Sequence, residues 1–408
     1  MIVAGQLLLN DDANAGCAIL RPGFIRIRQG RIEETVIGQI PDTADVGSPD
    51  VVIRPGWVDT HLHLPQFDMI GAHGLPLLQW LERFTFPAEL KWNDATHAQA
   101  MTDRVIDQCF AHGTTAICAY ATVHHEAALA ALRQATLRGM RGVIGQVLMD
   151  RSAPEELLSR VDTLIQQADT LLNHYPPDRR MAAAVTPRFA ISCTEELLCE
   201  AGKLADRHQA IIQTHLSETR AECELVQQLF DGQNYVDVYR SAGLLTPRSI
   251  LGHGIHLSES DCSKLADSGS MIAHCPTANS FLRSGTMNRS RLLDRGVAVT
   301  LGSDIGAGYE RSMVRTARAM IEAAALLGQG WPSAAEAWWQ IAFGNAKAMG
   351  WQDWKRLQEG APADLVIIRP PTSWRRLDVD LLGYLMFAWD DRWIDSTYCS
   401  GKRVYPFG

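Results

Sequence analysis

Two histidines separated by a single residue, His61 and His63, end an apolar run near the start of the chain. On a β-strand, alternate side chains share a face, so these two imidazoles lie side by side, about 6.6 Å apart along the strand. That spacing suits two ligands of one metal ion. Taken alone, a His-x-His pair is equally compatible with two structural or solvated histidines.

Three later apolar runs end in the same kinds of side chain. Convergence of such groups at one end of a sheet is improbable for purely structural histidines, so we predict a metal site there. A nitrogen and oxygen ligand set without thiolates favours Zn²⁺, with Fe²⁺ as the alternative. The three runs end in Gln213-Thr-His215-Leu-Ser-Glu218, Leu251-Gly-His253-Gly-Ile-His256 and Leu301-Gly-Ser-Asp304.

The fourth predicted strand segment argues for one metal ion per subunit. Barrels of this type that hold two metals need a bridging ligand, often a carbamylated lysine, from that strand. Residues 182–192 contain neither lysine nor an acidic residue. A single-metal site is therefore expected.

The residues that position this site follow a regular strand and helix pattern. Eight short apolar, β-branched segments alternate with helix-like stretches, such as residues 153–172 and 195–207, which predicts a parallel (β/α)₈ barrel. An open doubly wound sheet is the alternative, but no Gly-x-Gly-x-x-Gly turn follows an early strand. The segments are residues 51–63, 114–122, 142–150, 182–192, 210–217, 249–258, 270–279 and 297–306.

The two ends of the chain differ from the middle. Both contain short strand-like pieces broken by Gly, Asn, Asp and Pro, and neither has enough apolar surface to fold alone. We therefore predict that the ends pair into one small β-sandwich domain. The expected boundaries are 1–54 for its N-terminal part, 55–354 for the catalytic barrel and 355–408 for its C-terminal part.

Composition excludes several classes of partner. The 408 residues carry a net charge of −8, and the 38 lysines and arginines are scattered, so no nucleic-acid partner is expected. No stretch of about 20 apolar residues exists, so no membrane association is expected. The nine cysteines have no paired spacing and lie mostly in apolar runs, which is typical of buried reduced thiols. The sequence thus predicts a cytoplasmic protein.

Over nearly its whole length the chain resembles the amidohydrolase superfamily and, within it, the guanine deaminases. The His-x-His pair, the later histidines and Asp304 are general features of the superfamily. Four shorter pieces are specific to the guanine deaminases. These pieces are Pro65-Gln66, Trp80, Phe86-Pro-Ala-Glu89 and Thr186-Pro-Arg188-Phe189.

This resemblance implies a hydrolase acting on the C–N bond of a cyclic amidine, converting guanine to xanthine and ammonia. It implies that Glu218 is a proton shuttle, that Asp304 is both ligand and base, and that His253 positions water or substrate. It also implies a homodimer and a place in purine catabolism. The implied zinc ligands are His61, His63, His215 and Asp304, and the implied substrate-binding residues are Gln66, Arg188, Phe189 and Trp80.

Some residues depart from the family pattern and leave the identity of the heterocycle open. A pterin, an isocytosine-like pyrimidine or an s-triazine is the alternative substrate. A non-catalytic relative acting as a binding protein is a third hypothesis, but such a protein typically loses ligands, and every ligand position here is filled. The departures are Ala278, Arg283, Glu310 and Arg311.

Overall fold

The computed structural model describes residues 1–351, 357–371, 374–376 and 380–407. The chain divides into two units. One contains Met1–Asp59, Ile106–Ala116 and Arg311–Gly408, and the other contains Thr60–Val105 and Ile117–Glu310. The predicted boundary between residues 354 and 355 lies outside the described residues.

The strands of the described residues belong to four sheets. They are β1 (Ile2–Asn10), β2 (Ala18–Arg28), β3 (Arg31–Ile37), β4 (Val46–Pro55), β5 (Trp57–His63), β6 (Thr114–Tyr120), β7 (Arg141–Gly145), β8 (Val147–Leu148), β9 (Met181–Ala183), β10 (Thr186–Pro187), β11 (Ile212–Leu216), β12 (Ser249–His253), β13 (Met271–His274), β14 (Ala298–Leu301), β15 (Leu365–Ile368), β16 (Ile394–Cys399) and β17 (Lys402–Tyr405).

Helices follow most of the strands between β5 and β14. The α-helices are α1 (Leu77–Trp80), α2 (Phe86–Leu90), α3 (Ala95–Ala111), α4 (His125–Leu137), α5 (Val161–His174), α6 (Glu195–His208), α7 (Arg220–Leu229), α8 (Tyr235–Ser241), α9 (Glu259–Ser268), α10 (Pro276–Phe281), α11 (Arg289–Asp294), α12 (Met313–Leu326), α13 (Ala334–Trp339), α14 (Asn345–Ala348) and α15 (Leu381–Phe387). Residues Leu81–Thr85 and Gln340–Gly344 are π-helical, and short 3₁₀ turns cover Leu64–Met69, Lys91–Asn93, Glu155–Leu157, Ala190–Ser192, Trp374–Arg376 and Asp391–Trp393.

Strands from both chain ends form one seven-stranded sheet, in the order β17-β16-β15-β4-β1-β2-β3. Strand β2 shows why these segments pair: Ile25 and Ile27 point into the core, whereas Arg26 and Arg28 between and after them point outward. The buried cluster of this sheet combines residues of both ends, such as Ile25 and Ile367. The prediction that the two ends build one small β-domain is confirmed.

The middle of the chain forms the (β/α)₈ barrel predicted from the sequence. Its eight strands are β5, β6, β7, β9 and β11–β14, with β8 and β10 as short continuations of β7 and β9. Every residue of β5, β6, β12 and β13 is buried. Parallel strands covered on both faces read as continuous apolar runs, which is why the sequence pattern located them.

The first predicted strand, residues 51–63, is in fact two strands. Strand β4 belongs to the sheet of the chain ends, and β5 begins the barrel after Gly56. A Cβ atom on Gly56 would lie 1.9 Å from Oγ1 of Thr115, so only glycine fits between the two strands. An apolar run does not by itself show where one sheet ends and another begins.

Helix boundaries follow local signals closely. In α6 the hydroxyl of Thr194 accepts a hydrogen bond from the backbone N–H of Leu197, which caps the first turn. Acidic residues occupy the first turn and basic residues the last, as the helix dipole favours. In the part of the chain that the structure describes, none of the helices is both long enough and apolar enough to cross a membrane.

The last barrel strand returns to the first at the level of the two paired histidines. The backbone N–H of Asp304 donates to the carbonyl of His61 (2.8 Å), and the N–H of His63 donates to the carbonyl of Ile305 (2.8 Å). Gly302 permits this approach, because a Cβ there would lie 2.6 Å from Cβ of His61 and 2.9 Å from its backbone nitrogen. The position of His61 thus depends on Gly302, a glycine that directly follows the neighbouring strand β14.

We predict that Gly302→Ala lowers the free energy of unfolding by about 1–3 kcal/mol, because the added methyl group overpacks the strand that carries His61. Urea unfolding followed by circular dichroism measures this change. Gly330→Ala is the matched control, since a Cβ there meets no atom within 4 Å, and it should change stability by less than about 0.5 kcal/mol. Equal stability of the two variants would contradict the close approach.

Candidate active site

Two strand ends bring three imidazoles together. His61 and His63 are the buried, same-face residues at the end of β5, and His215 lies near the end of β11. The Nε2 atoms of His63 and His215 lie 3.1 Å apart, and the ring of His61 lies 4.9 Å from that of His215. The spacing predicted from His-x-His therefore places both side chains on one face, as expected.

Asp304 completes the group from the loop after the neighbouring strand β14. It follows β14 in the left-handed backbone region (φ 54°), which turns its carboxylate toward the histidines. Its Oδ1 lies 3.5 Å from Nε2 of His61 and 3.4 Å from Nε2 of His63. Although the side chain is buried, neither carboxylate oxygen accepts a hydrogen bond from any residue that the structure describes.

These residues fit a divalent metal ion. The possible ligand atoms of His61, His63 and His215 lie within 4.8 Å of one another, and those of His61, His253 and Asp304 do as well. Nδ1 of His215 contacts the carbonyl of Arg188 at 2.7 Å, so that nitrogen carries the hydrogen and Nε2 presents its lone pair. A buried carboxylate without hydrogen-bond donors beside lone-pair nitrogens is stabilised by a cation.

Electrostatics favours the same interpretation. Burial lowers the pKa of His61, His63 and His215 well below the usual range of histidine, and neighbouring histidines and Arg188 add to this effect. Neutral imidazole is the form that binds a metal. Burial raises the pKa of Asp304 to about 7 against the opposing effects of His253 and Arg188, so a positive charge is needed to hold its carboxylate ionised.

Glu218 and His253 form a second pair beside the first group. Oε2 of Glu218 lies 3.4 Å from Nε2 of His253, while the hydroxyl of Ser284 donates to Oε1 at 2.6 Å. Nδ1 of His253 contacts Oδ1 of Asn279 at 2.9 Å, which directs Nε2 toward Glu218 and toward Oδ2 of Asp304, 4.0 Å away. All five side chains are buried.

The surroundings raise the pKa of both members of this pair. Burial raises the pKa of Glu218, and the negative charge of Asp304 adds to the shift, whereas His253 and Ser284 oppose it. Burial lowers the pKa of His253, but the carboxylates of Glu218 and Asp304 outweigh that effect, so its pKa is raised overall. The Glu218 carboxyl therefore holds a proton more readily than an exposed glutamate does, which suits a group that transfers protons.

A local turn explains how Glu218 reaches this position. Ser217 adopts the left-handed conformation (φ 47°) directly after β11, and Thr219 caps helix α7. The carboxylate of Glu222 accepts hydrogen bonds from the backbone N–H groups of Glu218 (2.7 Å) and Thr219 (3.1 Å). This capping box fixes the three-residue turn between strand and helix.

A small pocket opens onto these groups. Each of the four residues that the sequence analysis assigned to substrate binding lines it. Leu77, Leu81 and Leu282 add apolar walls. The assigned residues are Gln66, Trp80, Arg188 and Phe189.

Gln66 and Arg188 place polar atoms in the pocket. Oε1 of Gln66 is buried and accepts no hydrogen bond from the described residues, so an acceptor is available for a ligand. Nη1 of Arg188 donates to both carboxylate oxygens of Glu89, at 2.6 and 2.8 Å. Gly306 (φ 117°) packs against Gln66, since a Cβ there would lie 2.2 Å from its carbonyl oxygen.

The two aromatic residues of the pocket, Phe189 and Trp80, are positioned mainly by packing. The ring of Phe189 lies 6.4 Å from that of His215 in an edge-to-face arrangement. Trp80 ends α1, is buried, and donates from Nε1 to the carbonyl of Ala72 at 2.7 Å. Both rings therefore offer apolar surface at fixed positions in the pocket wall.

The residues that depart from the family pattern lie elsewhere. Ala278, Arg283 and Glu310 are not among the residues lining the pocket, and Arg283 lines a neighbouring cavity instead. Nη1 of Arg311 donates to the side chain of Gln108 at 3.1 Å. These departures therefore do not alter the pocket surface described above.

Several residues of the site were not given a role by the sequence analysis. Glu89 lies within one of the segments that are specific to the guanine deaminases. Glu222 could have been recognised, because the spacing Thr219-x-x-Glu222 is a capping-box signal. Tyr120 packs its ring 4.5 Å from that of His63 and 4.8 Å from that of His215. Ser284 follows an irregular loop, and no sequence signal connects it with Glu218.

Comparison with known proteins agrees with this geometry. The family model described as the amidohydrolase family matches residues 52–404. A curated guanine deaminase of Escherichia coli K12 is 35% identical, with 97% of this chain and 94% of that protein covered.

Solved structures give the same result at the level of the fold. The E. coli guanine deaminase structure superposes with a TM-score of 0.92 at 33% identity, covering 99% of both chains. A guanine deaminase structure from C. acetobutylicum, with bound guanine in its active site, has a TM-score of 0.91 at 26% identity and covers 99% of both chains. The family match, the barrel and the His/His/Asp metal-binding site together show that this chain belongs to the guanine deaminase family of amidohydrolases.

Proposed function

We propose that this chain hydrolyses guanine to xanthine and ammonia and that it uses one zinc ion. One observation carries the proposal: a metal-binding group and the buried carboxyl of Glu218 share a pocket with the polar side chains of Arg188 and Gln66. Family membership supports it, because the similar proteins reported above are guanine deaminases. The proposed zinc ligands are His61, His63, His215 and Asp304.

Three neutral imidazoles and one carboxylate are a donor set that suits zinc. When bound, zinc would lower the pKa of a water molecule toward about 7 and so supply a nucleophile at neutral pH. Asp304 accepts the proton of the attacking water through Oδ2, since Oδ1 is the oxygen that faces His61 and His63.

Glu218 moves the remaining protons. The ring carbon that bears the amino group becomes electrophilic when the ring nitrogen beside it gains a proton, and the Glu218 carboxyl supplies that proton. Having given up that proton, the Glu218 carboxylate takes up the proton of the newly added hydroxyl group and passes it to the departing amine, so that ammonia leaves and a carbonyl remains. The proton accepted by Asp304 then returns to Glu218 for the next turnover. Ser284 holds Oε1, so the orientation of the carboxyl is fixed during both transfers. His253, between Glu218 and Asp304, positions the water and the substrate.

Arg188 and Gln66 select the ring. The guanidinium donates a hydrogen bond to the ring carbonyl of guanine, and the Gln66 amide both donates and accepts along the ring edge. Phe189 and Trp80 cover the ring faces. This set favours a fused lactam with an adjacent amino group over an s-triazine.

Three further expectations are part of the proposal. We expect a homodimer, on the basis of the family resemblance, and a cytoplasmic protein, on the basis of its cysteine pattern. We expect a role in purine catabolism, which follows from the substrate. The boundaries 1–54, 55–354 and 355–408 are likewise proposed as the domain limits.

We predict that the zinc-loaded protein converts guanine to xanthine with a kcat/KM at least about 100-fold above that for adenine, cytosine or ammeline, because none of these rings is a fused lactam with an adjacent amino group that satisfies the buried donors and acceptors. A pterin, which shares that ring edge, is assayed in parallel as the test of the alternative substrate. Ultraviolet absorbance follows the conversion, and ammonia release is the check. Activity confined to the triazine would refute guanine as the substrate.

We predict that Glu218→Gln lowers kcat by about 10²- to 10⁴-fold, because the amide cannot carry the proton. Zinc content should stay at the wild-type value, as measured by elemental analysis. Glu200→Gln, on the surface of α6, is the control and should keep full activity. Undiminished turnover by Glu218→Gln would show that another group carries the proton.

We predict that His215→Ala lowers zinc content to less than about one tenth of the wild-type value, because it removes a central ligand of the group. Inductively coupled plasma mass spectrometry measures this directly, independently of activity. His174→Ala, an exposed histidine of α5 outside the site, should retain full zinc content. A chelator should abolish activity of the wild type, and added zinc should restore it.

A further inference from the structure

A buried ion pair forms part of the pocket wall. The side chains of Glu89 and Arg188 are 1% and 3% exposed, respectively, and a single guanidinium nitrogen, Nη1, donates to both carboxylate oxygens. The pair carries almost no net charge as long as both partners are ionised. Removal of one partner of such a buried pair leaves an uncompensated charge, which is unfavourable.

Arg188 makes contacts through both its guanidinium group and its backbone carbonyl. Its guanidinium carbon lies 5.6 Å from the centre of the Phe86 ring, and its backbone carbonyl accepts hydrogen bonds from the N–H of His215 (3.1 Å) and from Nδ1 of that residue (2.7 Å). Since Nη1 is used by Glu89, the donors on Nε and Nη2 are the ones left for a ligand.

Glu89 belongs to a segment that also shapes the pocket. It lies in α2, directly after the π-helical residues Leu81–Thr85, and Trp80 and Leu81 of the same segment line the pocket. The ion pair therefore fastens this wall to the strand end that carries Arg188. His124 is a further titratable side chain that interacts electrostatically with Glu89.

The charge of the pair matters for which ligands the pocket retains. A guanidinium whose charge is cancelled acts as a hydrogen-bond donor to a neutral carbonyl, whereas an uncompensated one attracts anions. Guanine is neutral near pH 7. In xanthine a carbonyl replaces the amino group, so its ring N–H groups are more acidic and the product ionises more readily than the substrate.

We propose that Glu89 is a positioning and specificity residue: it aims Arg188 at the ring carbonyl and cancels its charge, so that the pocket accepts a neutral lactam and releases an anionic product. This inference rests on the proposed function. Glu89 itself acts through Arg188.

The test is the inhibition constant of xanthine in wild type and in Glu89→Gln, at one pH below and one pH above the ionisation of xanthine. We expect neutral xanthine to bind Glu89→Gln more weakly than it binds the wild type. We expect anionic xanthine to bind Glu89→Gln about 10-fold more tightly than it binds the wild type. The ratio of variant to wild type at each pH removes the contributions of Glu218 and Glu222, which both proteins share. Because Glu89 raises the pKa of His124 against the effect of burial, the same comparison in a His124→Gln background removes the contribution of His124.

A purely structural role would give a different result. If Glu89→Gln weakens neutral and anionic xanthine by the same factor, the proposal is wrong. Asp103→Asn is the matched control, because Asp103 forms a half-exposed pair with Arg138 (2.6 Å) away from the pocket lining. That variant should leave both inhibition constants unchanged within about twofold.

Glu89→Asp keeps the test decisive if the glutamine variant does not fold. The shorter carboxylate retains the charge but lengthens its contacts with Arg188, so kcat/KM for guanine should fall about 10-fold while the preference for neutral over anionic xanthine is retained. Binding of 2-aminopurine, which lacks the ring carbonyl, should change less than about twofold by fluorescence. Unchanged guanine kinetics, or an equal loss for both purines, would overturn the proposal.

Failure of this inference is separable from failure of the proposed function. If the wild type does not turn over guanine, the proposed function is wrong. If the wild type turns over guanine and Glu89→Gln gains no affinity for anionic xanthine, only the role of Glu89 is wrong.

Discussion

The convergence of lone-pair nitrogens and a carboxylate on one buried point is the constraint on which the rest of the structure depends. When both Nε2 atoms present lone pairs, as metal ligands do, His63 and His215 repel each other at their separation of 3.1 Å, and Asp304 adds a buried charge. A cation relieves both costs at once. The barrel meets this constraint because its strand ends point to one side, and because Gly302 lets the last strand approach His61 closely.

Around that point the polar groups are divided into two pairs with different tasks. Glu218 and His253 face the metal-binding group, and burial raises the pKa of the Glu218 carboxyl toward the range useful for proton transfer. Glu89 and Arg188 form the opposite case, a buried pair in direct contact through one guanidinium nitrogen, which suits recognition rather than proton transfer. In the proposed function, similar residue types thus serve proton transfer or substrate binding according to the distance between their charges.

Much of the fold was predictable because its signals are local. Eight buried strands appear as apolar runs, and capped helices such as α6 appear within one residue of their predicted ends. The exceptions are instructive. The run at residues 51–63 contains two strands of different sheets, and the helix predicted from residue 153 begins only at Val161, after a 3₁₀ turn and an extended segment. Neither break changes the apolar pattern, so periodicity alone could not reveal it.

The sequence by itself determined the barrel, the small β-domain and the histidines and Asp304 offered to the metal, since strand period and strand-end position follow from local pattern. The residues expected in the pocket came from its resemblance to the guanine deaminases. Only the tertiary structure decided which of these groups touch. Glu89 and Arg188 are 99 residues apart, and Ser284 is 66 residues from Glu218. Such partners are chosen by the packing of loops between distant strands, and a carboxylate or hydroxyl in a loop has the same local signature whether it faces solvent or a buried guanidinium. The function of a side chain here therefore depends on burial and on its neighbour, which the order of residues does not specify.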